Sequence, residues 1–461
     1  MGNGSPNRKD HSLNGNGSRS IAHKRRGIAR KFSRIRGTGR GLLAALLAVL
    51  GPGMLAGLSD DDPAGIATYS KLGADHGYRL LWIIPAATVL LVYFHLVAVQ
   101  IGVASGKGFV AVIRERWGKA FGFLAVIGLL FANFGTICAE YAGISAAASL
   151  IGIPTWVSAP LAGVLISLVV VVGSFQRVEG ILLVISSTLA LYIVDGILAG
   201  PDWSQVAQGA MVPRLPIDQA GWLALVATLG TTLAPWGLAF IQSYAVDKKI
   251  EAADLPVEKV EVLIGSVLTG VIGMAIAVAC AATLYPAGIS VDEAHDVALS
   301  LQPLAGKFAT LLFGAGLLGA SLLAAAVVPL ATSYSIAEGI GAPASLRLDS
   351  SHFHFFYAVF IGLTVAAVSV VSLPGLPLIP LMYASQVVNA VVLPLHIVAL
   401  LLLAGNRKVM GSHRAANWTL AAGWSFLALV VACVLALAAS WFTQPKAASG
   451  PDTPATRAGS P

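Results

Sequence analysis

Asp60-Asp61-Asp62-Pro63-Ala64-Gly65 sets three carboxylates, a proline and a glycine inside an otherwise apolar segment running from Leu42 to Tyr69. Each ionised carboxylate near mid-bilayer costs roughly 2.5–3.5 kcal/mol on insertion scales. Pro63 lacks the N–H that a helix interior needs, and Gly65 weakens the helix around it. The segment therefore predicts a helix broken at Asp62–Gly65. Carbonyls freed at membrane depth are tolerated where they line a polar cavity, and beside a carboxylate their natural partner is a metal cation. A second apolar segment is interrupted in the same X-Pro-x-Gly manner at Thr231-Thr232-Leu233-Ala234-Pro235-Trp236-Gly237. Paired Pro/Gly interruptions in corresponding halves of a chain are the best sequence pointer to a transporter's substrate site.

Other groups with chemical potential are scattered through the apolar segments. Glu140, in Thr136-Ile137-Cys138-Ala139-Glu140-Tyr141, reads either as part of a proton or water path or as a neutral, hydrogen-bonded structural acid. Gln386 and Asn389 stand one helical turn apart and put two amides on one face, where buried amides want partners. His95 and His396 are lone histidines in apolar runs and read as core residues rather than ligands. Asp195, close to the end of its segment, is expected at the outer interface. Asp292, Glu293, His295 and Asp296 make an acidic loop that either gathers cations or is simply solvated. His352 and His354 sit beside Phe353 and Phe355-Phe356-Tyr357, the composition of an interfacial aromatic girdle rather than a metal pair.

The elements that position these groups follow from composition. With 461 residues, 56% of them hydrophobic and 11% charged, the chain is far more apolar than a soluble protein, which carries about 25% charged residues. Apolar runs of about 20 residues or more mark eleven spans, near 41–71, 80–103, 119–150, 153–174, 180–199, 219–246, 262–287, 304–339, 353–373, 378–404 and 416–442. With a cytoplasmic N-terminus, Lys and Arg divide 23 inside against 6 outside, so the N-terminus is expected inside and the C-terminus outside a plasma membrane. Residues 1–40 hold eleven Lys/Arg against Asp10 alone, whereas the remainder is at −3. This reads as a disordered basic tail attracted to anionic lipid, and not as a nucleic-acid-binding arm. Cys138, Cys280 and Cys433 lie far apart in apolar runs and read as packing residues, with neither a disulfide framework nor zinc spacing.

The interrupted spans are the first and the sixth. A gap of five spans reverses the orientation of the second copy, which fits inverted-topology repeats whose broken helices meet at the midplane. The expected organisation is a tail at 1–40, a first five-helix repeat at 41–204, an inverted second repeat at 205–404, an eleventh helix at 405–442 and a disordered C-terminal tail at 443–461.

Gly51-Pro52-Gly53-Met54 leading to Asp62-Pro63-Ala64-Gly65-Ile66-Ala67-Thr68 resembles the first-helix signature of the NRAMP divalent-metal transporters. Further matches are Gly102-Val103-Ala104-Ser105-Gly106-Lys107, Gly200-Pro201-Asp202-Trp203, Ser385-Gln386-Val387 and Met410-Gly411, so that the resemblance covers residues 45–415. It implies an all-α, eleven-span LeuT-type fold and uptake of divalent metal ions by alternating access. It also implies a metal site at Asp62, aided by Gln386 and by backbone carbonyls near Ser59 and Ala234. Asp60 and Asp61 are expected to point elsewhere. Gly65, Trp236, Gly237 and Asn389 would shape the cavity around the ion.

The chain also departs from the family pattern. Gly65 replaces the asparagine of Asp-Pro-x-Asn, Ala234 replaces the metal-binding methionine of Met-Pro-His, and Trp236 replaces its histidine. Ile137 stands where the third span carries an aspartate, and 353–371 contains no arginine. A thioether favours soft transition metals, so its loss leaves a wider, oxygen-lined site suited to a partly hydrated hard ion such as magnesium. The pattern is similar to the NRAMP-related magnesium transporters, with manganese also carried and proton coupling weak or absent. The ordinary proton-coupled manganese or iron importer is the alternative, and a non-transporting sensor domain the second. No His-Glu-x-x-His, Gly-x-Ser-x-Gly or comparable set suggests an enzyme. No cofactor or obligate protein partner is implied; the metal is cargo.

Overall fold

The computed structural model describes residues 62–171, 191–342 and 353–443, and within them every regular element is helical. The tails, Ser59, Asp60 and Asp61, the first half of the first span and most of the fifth lie outside the described residues. Among the described residues, seven helices are long and apolar enough to cross a membrane, and Thr155–Val171 and Phe355–Val371 are shorter apolar ones.

The first interruption is a helix start. Asp62 is extended, with φ −76° and ψ 169°, and caps α1 (Pro63–His76), where the missing N–H of Pro63 costs nothing because a first-turn donor has no helical partner. Its path continues through α2 (Ile83–Ser105), the short α3 (Phe109–Trp117), α4 (Lys119–Ser149), α5 (Thr155–Val171), α6 (Leu191–Leu198) and α7 (Trp203–Met211). The second interruption repeats the first. α8 (Gln219–Thr232) stops, Leu233 and Ala234 leave the helical region, and α9 (Pro235–Asp247) begins with proline at its first position. Each half of the chain thus holds one half-helix started by an X-Pro step.

The second half continues with α10 (Leu255–Ala287), α11 (Ala294–Leu299), α12 (Gln302–Ala305), α13 (Ala309–Ile340), α14 (Phe353–Val371), α15 (Leu378–Ala404), α16 (Arg407–Met410) and α17 (Asn417–Thr443). These match the expected spans, except that the seventh begins earlier, at Leu255, where Pro256 is tolerated in the first turn. α1 and the α8–α9 pair are buried along nearly their whole length, whereas α17 exposes Trp418, Leu435 and Phe442 on its flank. The broken helices are therefore core elements and the eleventh is peripheral.

Two close approaches fix the core. A Cβ on Gly143 of α4 would collide with the Pro63 ring, and one on Gly230 of α8 would collide with the Gln386 carbonyl of α15. Glycine at these positions lets α4 reach the start of α1 and lets α15 reach the end of α8.

Candidate metal-binding site

One Asp62 carboxylate oxygen accepts the Gly65 N–H at 2.5 Å, and the Asp62 carbonyl accepts from Ile66 at 3.0 Å. Charge at a helix start is favoured by the unpaired N–H groups and the helix dipole. Asp62 is buried, and the Glu140 carboxyl of α4 comes within interaction range of it. Glu140 is fully buried, and neither of its oxygens has a hydrogen-bond partner. Two carboxyl groups side by side in a low-dielectric interior repel when charged, and a cation between or beside them relieves that repulsion.

The second break contributes backbone and hydroxyl oxygens. Pro235 has no N–H, so the Thr231 carbonyl lacks its usual donor four residues on. The Thr231 hydroxyl is buried without a partner. Ala234, with φ −58° and ψ 132°, supplies no side-chain cap to α9, and Gly237 N–H bonds back to its carbonyl at 3.1 Å. Trp236 is fully buried with its indole N–H unpartnered, and its ring lies 6.3 Å from that of Phe240. It packs into the break as a large apolar wall.

On the α15 side the amides form a chain. Asn389 Nδ2 donates to Gln386 Oε1 at 2.9 Å and lies 3.1 Å from Thr136 Oγ1, and Gln386 Nε2 donates to Ser385 Oγ at 3.0 Å. Gln386 is thus held beside Gly230, at the end of α8 and one residue from Thr231. Thr136 and Glu140 share one face of α4, and Asn133, one turn earlier, donates to Thr332 of α13 at 2.8 Å. Sequence reasoning singled out Glu140 but missed Asn133 and Thr136, although their spacing of three and four residues marks one polar helix face.

Among the described residues, Asp62, Gly65, Glu140, Ala234, Trp236, Gly237, Gln386 and Asn389 all fall on the two breaks or on the helices packed against them. Ser59 lies outside the described residues. No group of three or more His, Cys, Asp or Glu side chains assembles among those described. Any ion held here must take most of its ligands from carbonyls, hydroxyls, amides and water.

The remaining candidates separate cleanly. His396 is a packed core residue, with ring nitrogens 3.3 Å from the Val392 carbonyl and 3.4 Å from that of Ala125. Asp195 is not at an interface but fully buried, because Gly196 brings α6 against the α10 backbone at Ala275. The acidic loop is organised: Glu293 and Asp296 form a capping box on α11, and Asp292, Glu293 and His295 line a hollow of about 740 Å³ with Ser149 and Thr310.

The Nramp family model, described as natural resistance-associated macrophage protein-like, matches residues 53–440. The chain belongs to the Nramp family. A divalent metal cation transporter of Deinococcus radiodurans is 29% identical over 432 residues, covering 88% of this chain and 92% of its own. A divalent metal cation transporter of Pectobacterium carotovorum is 27% identical, covering 86% of this chain and 95% of its own. Among solved structures, the Eremococcus coleocola manganese transporter superposes with a TM-score of 0.68 at 22% identity, over 88% of this chain and 90% of its own. MhsT in complex with L-phenylalanine gives 0.57 at 16% identity, over 84% and 98%. This Nramp chain is an integral membrane protein with the all-α LeuT-type architecture of inverted five-helix repeats expected from its paired interruptions.

Proposed function

We propose that this Nramp chain moves divalent metal ions across the membrane by alternating access, with magnesium and manganese as cargo and without stoichiometric proton coupling. The reading rests on one observation above the others. Asp62, at the first break, lies beside an orphaned Glu140 carboxyl, while the positions expected to hold a soft thioether and a second amide ligand are Ala234 and Gly65. Such a site offers hard oxygens and space for retained water, which suits magnesium more than cadmium. Manganese, of intermediate hardness, is carried in competition with it.

Proton coupling needs titratable groups linked to the ion site. Ile137 and Trp236, both fully buried, carry none at two of the positions where the resemblance places such aids. Flux then follows the metal gradient and the membrane potential, an inside-negative potential favouring a divalent ion by about 4.6 kcal/mol per 100 mV, twice the single-charge value.

The deciding experiment is uptake into proteoliposomes of magnesium, manganese and cadmium side by side. Mutual competition between magnesium and manganese, with cadmium poorly carried, is the expected result. Tight cadmium binding with no magnesium flux overturns the reading in favour of a manganese or iron importer.

A further inference from the structure

A groove of about 360 Å³ opens between α3, α4 and α15, away from the breaks. Ile113 and Trp117 of α3, Phe121 and Leu124 of α4, and Leu395 and Leu402 of α15 line it. The Trp117 and Phe121 rings meet edge to face, with centroids 6.4 Å apart. His396 also lines the groove, but its ring nitrogens already face the Val392 and Ala125 carbonyls. The rest of the wall is hydrocarbon and aromatic ring, so an ion or polar solute would lose its water there without replacement. From Leu395 to Leu402 the groove follows α15 for about 10 Å, at 1.5 Å per residue.

Charge at one end of this groove selects its occupant. Arg116 and Lys119, both exposed, flank Trp117, and Arg407 and Lys408 follow shortly after Leu402. None of the four makes an ion pair among the described residues. Glu115, the only acid between Lys107 and Ala139, is paired with Lys107, and α15, α16 and α17 contain no Asp or Glu. An apolar slot therefore ends in positive charge that nothing on the chain answers. A second copy of the chain would bring the same basic rim against it, and like charges repel. A zwitterionic lipid offers the same acyl chains, but its amine offsets its phosphate.

We propose that this groove binds an anionic phospholipid. One acyl chain lies along Leu395–Leu402 against Phe121 and Leu124, and Arg116 and Lys119 hold the headgroup phosphate. The site begins about 9 Å along α15 from Asn389, so it is separate from the breaks. It nevertheless joins α4, which carries Glu140, to α15, which carries Gln386 and Asn389, and a bound lipid stabilises the packing of these two helices. Lipid binding does not depend on the identity of the cargo.

The purified, delipidated full-length protein in detergent is melted with added phosphatidylglycerol, with phosphatidylcholine of the same chains, and with glycerol phosphate. Phosphatidylglycerol raises the melting temperature saturably, by about 1–3 °C for a tenfold excess over the dissociation constant, and the other two do not. Arg116→Gln with Lys119→Gln moves the phosphatidylglycerol midpoint upward at least about fivefold, the scale of one basic residue at an anionic surface. Ala399→Phe, which fills the groove, removes the response. If that variant does not fold, phosphatidylglycerol brominated on its chains decides by quenching Trp117 fluorescence, read as wild type minus Trp117→Phe. Equal responses to the two lipids, a response to glycerol phosphate, an unmoved midpoint in the double variant, a response that survives Ala399→Phe, or no quenching of Trp117 overturns the proposal.

Discussion

The Tyr69 hydroxyl of α1 lies 2.9 Å from the Thr232 hydroxyl at the end of α8, joining the two interrupted spans directly. Thr232 Oγ1 already donates to the Thr228 carbonyl at 2.9 Å, so Tyr69 is the donor and Thr232 the acceptor. Gly273 of α10 leaves the space in which the Tyr69 ring sits. Tyr69→Phe keeps the ring and removes the link. It should lower stability by about 0.5–1.5 kcal/mol and alter uptake rate more than metal affinity. Thermal unfolding paired with calorimetric metal titration checks both, and a changed affinity at unchanged rate contradicts it.

Asp62 caps α1, and the proposed function gives it a second role, in metal binding, that one substitution separates. In Asp62→Asn the amide oxygen can still accept the Gly65 N–H and start α1, but the charge is gone. The variant should fold normally and lose metal binding by about 100-fold or more, the usual scale for removing one partner of a buried charge pair. Wild-type uptake in liposomes would place the site elsewhere.

Selectivity should follow the two substituted ligand positions. Gly65→Asn with Ala234→Met restores an amide and a thioether at the breaks, and cadmium should gain at least about tenfold over magnesium in competition uptake. An unchanged ratio means that Gly65 and Ala234 do not face the ion.

Glu140 provides the test of proton flux. With charge balanced by potassium and valinomycin, intravesicular pH should stay flat while metal enters. A metal-driven acidification above that of empty vesicles, lost in Glu140→Gln, shows instead that the orphaned carboxyl carries protons.

Glu338, buried near the end of α13, reaches across to α3. Its Oε2 accepts from Val110 at 3.0 Å and from Ala111 at 3.3 Å, capping α3 across 228 residues of sequence, and Gly108 leaves no room for a Cβ beside the carboxylate. Gln242 of α9 holds the same turn, donating to the Lys107 carbonyl at 3.1 Å. Gly108→Ala should destabilise by about 1–3 kcal/mol through overpacking, read as a lower melting temperature.

Pro63 and Pro235 made the two breaks legible, since proline after a polar or small residue in an apolar run has few explanations other than a new helix start. Run length and the paired interruptions then pointed to the all-helical membrane architecture. What did not show was anything decided between helices. Asp195 looked like an interfacial acid because its position near a segment end is visible in sequence, while the packing of Gly196 on Ala275 is not. The Glu338 cap was hidden for the same reason: acceptor and donors belong to different halves of the chain. The Gln386–Asn389 pair was readable as one face of a helix, but its anchor at Thr136 was not.

Both half-helices begin at buried residues, so both set the positive ends of their backbone dipoles inside the protein. α9 has neither a side-chain cap nor an acid in its first turn, and α1 has only Asp62 as its cap. A helix start with unpaired N–H groups favours an anion, and at α1 the Asp62 carboxylate fills that place. Of the two helix starts only that of α1 brings its own carboxylate, so in Asp62→Asn the charge that offsets the inward dipoles should fall to Glu140 on α4 alone.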